Sequence, residues 1–288
     1  MKPFPIPLVA LGPGTQPVEE PAQYIAAPGE MSIFLPPTPR KSASAAAIEG
    51  ARNIIGRLIA AMEDTDFTNA DGREPPQADL HMSLLDYEPE VIDSVNDLLG
   101  HGEVSALVAA SRPVRIQESA FAGVWRVHAL REDGTLLRDD LEAGAIPTIV
   151  RLALDQVKAV LHDVPTSAES VMNAPAILAE LISASERYRP GAETHVVNLT
   201  LLPVTAEDLD YLAVHLGGGP VTILSRGYGN CRISSTALPH TWWVQYFNSM
   251  DQLILNTIEV DDVPAVALAA PEDLEDSVVR LRAWAATL

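Results

Sequence analysis

The sequence predicts an α+β protein made by internal duplication, in which each copy is a helix plus an antiparallel meander sheet. Three observations predict it. Residues 81–150 match residues 198–267 without a gap at an offset of 117, with about a quarter of the pairs identical. Each matched segment reads as one helix followed by four short β-type runs separated by short loops, and sequential strands so joined must be antiparallel neighbours. The first 40 residues hold ten of the chain's 23 prolines, which remove backbone donors and fix φ, so they predict an extended arm.

The elements follow in order. Residues 1–42 are the proline- and glycine-rich arm. In 43–80, Ile48, Ile54, Ile55, Leu58, Ile59 and Met62 recur at helical spacing from about Ser44 to Glu63, and a polar linker follows. The first repeat, 81–150, opens with a short strand at Leu84–Asp86 and a helix at Glu88–Leu98. Residues 151–192 hold linking helices. One runs Pro147–Leu161; the other runs Ala168–Glu186, capped by Thr166 or Ser167, with a kink or restart at Asn173-Ala174-Pro175. The second repeat, 193–288, opens with a strand at Val197–Leu202 and a helix at Thr205–Leu216. Its β runs are 220–226, 231–236, 242–248 and 252–260, and a final helix spans Pro271–Thr287, with acids in its first turn.

The identities include residues with unrelated physical demands: Gly100 on Gly217, Gly102 on Gly219, Trp125 on Trp242 and Pro147 on Pro264. Leu84 on Leu201, Leu85 on Leu202 and Arg115 on Arg232 continue the match. Trp125 and Trp242, shared by both copies, read as core residues.

Composition narrows the function. Nineteen Lys and Arg against 39 Asp and Glu give a net charge of −20, which repels phosphate backbones and anionic lipid, so neither nucleic acid nor membrane is the expected partner. No apolar run reaches the roughly 20 residues of a spanning helix, and no leader pattern is read, so the expected location is cytoplasmic. One cysteine, Cys231, excludes an internal disulfide framework and a multi-cysteine metal site built by one chain. The seven histidines show no helical i,i+4 pair, and no nucleophile elbow, zinc-protease helix, Walker loop or complete dinucleotide fingerprint occurs. No catalytic residue, metal ligand or cofactor is therefore predicted.

Where the copies differ, function is the better reading. Copy one closes its first hairpin with Ala110-Ser111-Arg112-Pro113; copy two has Gly227-Tyr228-Gly229-Asn230, followed by Cys231 and Arg232 and preceded by Arg226. The glycines and asparagine offer positive-φ positions that bring backbone close to a ligand, and they equally suit a tight hairpin turn. Cys231 reads either as a small buried hydrophobe or as a thiol activated by Arg226 and Arg232. On the strand 242–248, alternation places Trp243, Gln245 and Phe247 on one face. If that face is outward it is an aromatic binding patch; if linking helices cover it, it is core.

The run Ser225–Ile233, followed by Trp242 and Val244, then Tyr246-Phe247-Asn248 and Leu255–Val260, resembles the HupH/HyaF hydrogenase expression and formation family. Leu98-Leu99-Gly100-His101-Gly102-Glu103-Val104-Ser105, Met31–Pro36 and Gly12-Pro13-Gly14-Thr15-Gln16-Pro17 are similar to it too, with Thr15 standing where that family has serine. The resemblance implies a non-enzymatic accessory protein that helps mature nickel–iron uptake hydrogenase, acting on the iron–sulfur small subunit before export. The partner-binding residues expected are Arg226, Gly227, Tyr228, Gly229, Asn230, Cys231, Arg232, Trp243 and Phe247. The alternative is a thiol-dependent enzyme or cluster-transfer factor using Cys231.

Overall fold

The computed structural model describes residues 43–65, 67, 77–158, 171–226 and 230–286. The expected arm (1–42) and the Thr166 or Ser167 cap lie outside them. The first helix, α1 (Ala45–Glu63), starts where Ser44 caps it, its hydroxyl accepting from the Ala47 N–H, and it buries Ile54, Ile55, Leu58 and Met62. Then follow β1 (Gln77–Ser83), α2 (Pro89–Leu99), β2 (Val104–Val108), β3 (Val114–Glu118), β4 (Val124–Leu130), β5 (Leu136–Gly144) and α3 (Thr148–Leu154). The second half holds α4 (Ala174–Arg187), β6 (His195–Asn198), α5 (Ala206–Leu216), β7 (Val221–Ser225), β8 (Asn230–Ser235), β9 (Thr241–Phe247) and β10 (Leu253–Val260). A 3-10 turn at Ala265–Ala267 and α6 (Pro271–Ala285) end it.

The ten strands form one antiparallel sheet in the order β1-β5-β4-β3-β2-β7-β8-β9-β10-β6. The second half of that order mirrors the first. At the centre β2 pairs with β7, and Ala106 lies opposite Ile223, its own counterpart 117 residues on. A pseudo-twofold therefore passes through this pair. The register is copied as well: Ala106 faces Ile116 as Ile223 faces Ile233, Val114 faces Ala129 as Cys231 faces Tyr246, and Trp125 faces Glu142 as Trp242 faces Glu259.

The shared glycines have a steric cause. A Cβ at Gly102 would lie 2.1 Å from the Ser119 carbonyl oxygen, and one at Gly219 would lie 2.5 Å from that of Thr236, the equivalent residue. Only glycine admits the close approach.

The outer strands break the 117 offset. Ser83 faces Asp140 as Asn198 faces Thr257, so the edge strands correspond at an offset of 115. Leu84 donates its N–H to Asp139 and is matched in space by Leu199, which donates to Asn256. Copy two thus has two extra residues between β6 and α5, and the expected strands at Leu84–Asp86 and Val197–Leu202 are each displaced. Leu201, matched by sequence to the fully buried Leu84, is 77% exposed.

The linking helices also differ from expectation. The first stops at Leu154, short of Leu161; the second begins at Ala174, where Pro175 favours a first turn. Its N-terminus is capped from α5: the Asp208 carboxylate accepts from the N–H groups of Met172, Asn173 and Ala174 at 2.8–3.0 Å. Burial pushes the Asp208 carboxyl up, but these donors and Thr205 outweigh it and hold it below the usual range.

Both repeats put their helices on one face of the sheet. Near β1 and β5, α1, α2 and α6 bury Ile54, Leu58, Val95, Leu141 and Leu274; near β9 and β10, α4 and α5 bury Leu181, Leu212, Trp243 and Ile258. The opposite face carries one apolar layer across the seam, from Trp125 and Val127 to Ile223, Ile233 and Trp242, capped by Val150 of α3 and Ala267. The copies fill one equivalent place differently. In copy one Arg126 pairs with Asp139 and reaches Asn96 of α2; in copy two Trp243 donates its indole N–H to Asn256.

Two outcomes follow. Gly102→Ala and Gly219→Ala should each lower stability by about 1–3 kcal/mol, seen as a lower urea midpoint, while Gly218→Ala, where a Cβ meets nothing within 4 Å, should be neutral. Equal behaviour of all three variants would refute the steric account. Burial raises Glu118 to about 7, against the pull of N–H donors from Gly123 and Val104. Its folded pKa lies above its unfolded value of 4.5, so folding takes up a proton between these values. Stability falls by on the order of 3 kcal/mol as pH rises through that window. Glu118→Gln should flatten this part of the pH–stability curve, and an unchanged slope would clear Glu118.

Candidate functional site

The β7–β8 hairpin, singled out by its contrast with copy one, stands at one end of the central seam. Gly227, Tyr228 and Gly229 lie outside the described residues. The described part of the hairpin borders a pocket of about 360 Å³ lined by Leu224, Ser225, Arg226, Asn230, Cys231, Arg232, Phe247 and Asp251. Five of the nine residues expected from sequence, Arg226, Asn230, Cys231, Arg232 and Phe247, therefore come together here.

Three separated motifs build this place. The seam sets Val104 opposite Ser225, and the Arg226 N–H donates to the Glu103 carbonyl at 3.2 Å, so the 98–105 motif lies against the 225–233 run. On the other side Asn230 pairs with Phe247 of the 246–248 motif. The turn after it, closed by the Asn248 side chain accepting from Met250 and Gln252, carries Asp251, whose carboxylate accepts from the Asn230 amide at 3.0 Å. Asp251 was not anticipated. It sits at φ 57°, the counterpart of Gly134 at φ 81°, so copy two keeps a side chain in a left-handed position that copy one leaves to glycine. That exchange was the available signal.

Strand alternation separates Cys231 from the arginine beside it. Cys231 faces the apolar layer of Ile233, Trp242 and Val244 and is 4% exposed, whereas the Arg232 guanidinium lies 5.5 Å from the Phe247 ring centroid. Burial pushes the thiol up to about 12; the Glu259 charge adds to this, and a hydrogen bond from Tyr246 opposes it. The expectation that Arg226 and Arg232 stabilise a thiolate is thereby corrected. Burial also lowers the Arg232 pKa.

The aromatic-patch expectation is corrected at Trp243. That face is covered by α4 and α5, and Trp243, 3% exposed, belongs to their core. Phe247, four residues further along the strand, reaches the open end and is half-buried.

A second cluster lies across the β1–β5 pair, where His81 is 3.0 Å from Asp140 and 3.6 Å from Glu142. Those acids also bind Arg138, and Glu142 accepts from the Thr148 N–H. The guanidinium already supplies the countercharge, so the donor set reads as a closed ion-pair network and not as a metal centre.

The family model described as HupH hydrogenase expression protein, C-terminal conserved region, matches the chain twice, at residues 49–168 and 171–288. The chain belongs to the HupH family. Its two matches take in both repeats together with α1 and α4, the helices that precede them. HupH-family relatives match along nearly the full chain. The hydrogenase expression/formation protein HoxQ of Cupriavidus necator is 44% identical over 282 residues, covering 98% of this chain and 96% of that protein. HupH of Rhodobacter capsulatus is 41% identical (97% and 96% covered), and the hydrogenase-1 operon protein HyaF of Escherichia coli is 33% identical (94% and 93%). A solved structure, the hydrogenase expression protein HupH from Thiobacillus denitrificans, is 28% identical, with a TM-score of 0.38, covering 40% of this chain and 97% of that one. Among the described residues of this HupH-family chain no helix is long and apolar enough to cross a membrane.

The buried thiol has a direct consequence. Native Cys231 should react with iodoacetamide at pH 8 at least about a hundredfold more slowly than in urea, because both access and the thiolate fraction are small. Mass spectrometry of the alkylated chain measures this. Equal rates would return Cys231 to the surface.

Proposed function

We propose that this protein is a non-enzymatic accessory factor in the maturation of nickel–iron uptake hydrogenase, binding the immature iron–sulfur small subunit before export. The names of its relatives, hydrogenase expression/formation proteins, support the process. One observation carries the mode of action: the 225–233 and 246–248 motifs contribute to one open pocket, which the 98–105 motif adjoins through the Glu103 carbonyl, and its described lining holds two arginines and an aromatic ring, with its thiol buried and its pKa raised. Such a place binds; it does not turn over substrate by thiol chemistry. Anchors of this type, arginine and aromatic side chains in a concave setting, are those that dominate protein interfaces. The client supplies the cluster-ligating cysteines that this chain lacks.

Replacing Gly227–Asn230 by the copy-one sequence Ala-Ser-Arg-Pro should leave the fold in place, since copy one closes the equivalent strand pair with that turn. Small-subunit binding, measured by co-purification, and hydrogenase activity in cells should fall about tenfold or more, a loss of roughly 1.4 kcal/mol or greater. Cys231→Ser should retain most of both. Normal binding and activity in the loop variant would overturn the proposal, and a Cys231→Ser loss as large as that of the loop variant would favour the thiol reading.

A further inference from the structure

Each repeat turns a corner between its second and third meander strands, and the two corners are finished differently. The β3–β4 corner, Ser119–Gly123, is closed by α6, the helix that follows the second repeat. A Cβ at Gly123 would collide with Leu274 of α6, and Trp284 meets Phe121 edge to face. The β8–β9 corner, Thr236–His240, is its twofold counterpart, and the segment that follows the first repeat faces it. Here Leu154, Asp155 and Val157 share with Leu238, His240 and Asp262 the lining of a cavity of about 160 Å³.

This corner departs from copy one toward titratable side chains. His240 stands where copy one has Gly123, and Asp262 where it has Ala145. His240 holds φ 55°, in the left-handed region that Gly123 occupies at 73°. Keeping a side chain there costs backbone strain, which folds retain where the side chain is used. The ring is exposed and stacks on Tyr188 at 4.4 Å.

The cavity is short of hydrogen-bond donors. The Ser235 hydroxyl donates to the Val221 carbonyl, that of Thr236 to Leu238 and that of Thr241 to Pro239, and the Trp242 indole N–H donates to the Asp262 carbonyl. The Asp155 carboxylate and the His240 ring, both on exposed residues, make no hydrogen bond or ion pair among the described residues. Asp262 meets Arg151 at 3.4 Å, and Arg151 has a further partner. With Asp261 beside Asp262, three acids stand here against one guanidinium and the His240 ring; Lys158, next to Val157, is exposed and outside the lining. Burial holds the Asp262 carboxyl above its usual range, and the charges of Asp261 and Asp155 add to this against the pull of Arg151 and His240. One more cation would relieve it.

We infer that this cavity takes a lysine or arginine side chain of the protein that the chain attends. Ammonium and guanidinium groups donate and do not accept, which complements a lining whose open groups are carboxylates. Leu154, Val157 and Leu238 suit the aliphatic stem. A cavity of about 150 Å³ holds a group the size of benzene, so there is room for one side chain and for no larger element. The partner's identity rests on the accessory role proposed above; the chemistry of the cavity does not. The cavity lies at the opposite end of β8 from the hairpin, so the two places are tested separately.

The full chain, isotope-labelled for NMR, is titrated with N-acetyl-lysine methylamide, N-acetyl-arginine methylamide and the uncharged N-acetyl-norleucine methylamide. The His240 ring signals, assigned by their loss in His240→Gly, are followed. Both cations should move them saturably with a Kd within about tenfold of 1 mM, and the norleucine compound should not. Asp155→Asn, at an exposed residue, should raise Kd about threefold or more with the thermal midpoint unchanged. Glu132→Gln, which removes an equal charge from an exposed turn of copy one, should leave Kd within about 1.5-fold of wild type. No saturable shift with either cation, an equal shift with norleucine, or equal affinities in Asp155→Asn and Glu132→Gln would overturn the cation pocket. In cells lacking the native gene, Asp155→Asn combined with His240→Gly should lower small-subunit co-purification and hydrogenase activity about fivefold at unchanged abundance. If the probes bind as expected while co-purification and activity stay at wild-type level, the pocket's chemistry stands and the small subunit is not the protein it holds.

Discussion

The backbone pairing of β2 with β7 is the constraint on which the rest of the structure depends. A five-stranded half-sheet alone would present β2 or β7 as a raw edge, with unpaired N–H and C=O groups flanked by apolar Val, Ile and Ala side chains. Joining the edges satisfies those groups. It also fuses two half-layers into one apolar face running from Trp125 to Trp242. The glycines at 102 and 219, the repeated cap contacts from Ala120 to Leu99 and from Ala237 to Leu216, and the paired registers place β2 and β7 equivalently in their own copies, so that the two meet antiparallel across the twofold.

Much of this was legible. The 117-residue offset already fixes two equal meanders, because an ungapped match preserves every loop length, and the structure keeps those registers from the first helix of each copy onward. That the meanders share one sheet was not legible, since pairing between copies leaves no periodicity of its own. The offset misled at the outer strand. Leu84 and Leu201 agree in type but not in place, for a two-residue insertion in copy two moved the buried leucine to Leu199 and left Leu201 in solvent.

At the site, contrast between copies found the hairpin. The same contrast held Asp251, opposite Gly134 at the 117 offset, but its weight shows only when the two positive backbone angles are set side by side. Alternation correctly put Trp243 and Phe247 on one face. It could not say that α4 and α5 stop short of the strand's end, burying the tryptophan and leaving the phenylalanine half-open. Cys231 shows the opposite lesson: adjacency to arginine in sequence counts for little on a strand, where neighbours point apart.

The last helix closes the first core. Leu274 and Leu281 of α6 pack among Ile54, Leu58 and Val95, Arg282 pairs with Glu63, and Trp284 meets Phe121 edge to face at 6.5 Å. During synthesis, the first repeat therefore emerges with this apolar helix surface uncovered until α6 has followed it out of the ribosome. A core begun by α1, which ends at Glu63, is thus sealed only by a helix that starts at Pro271.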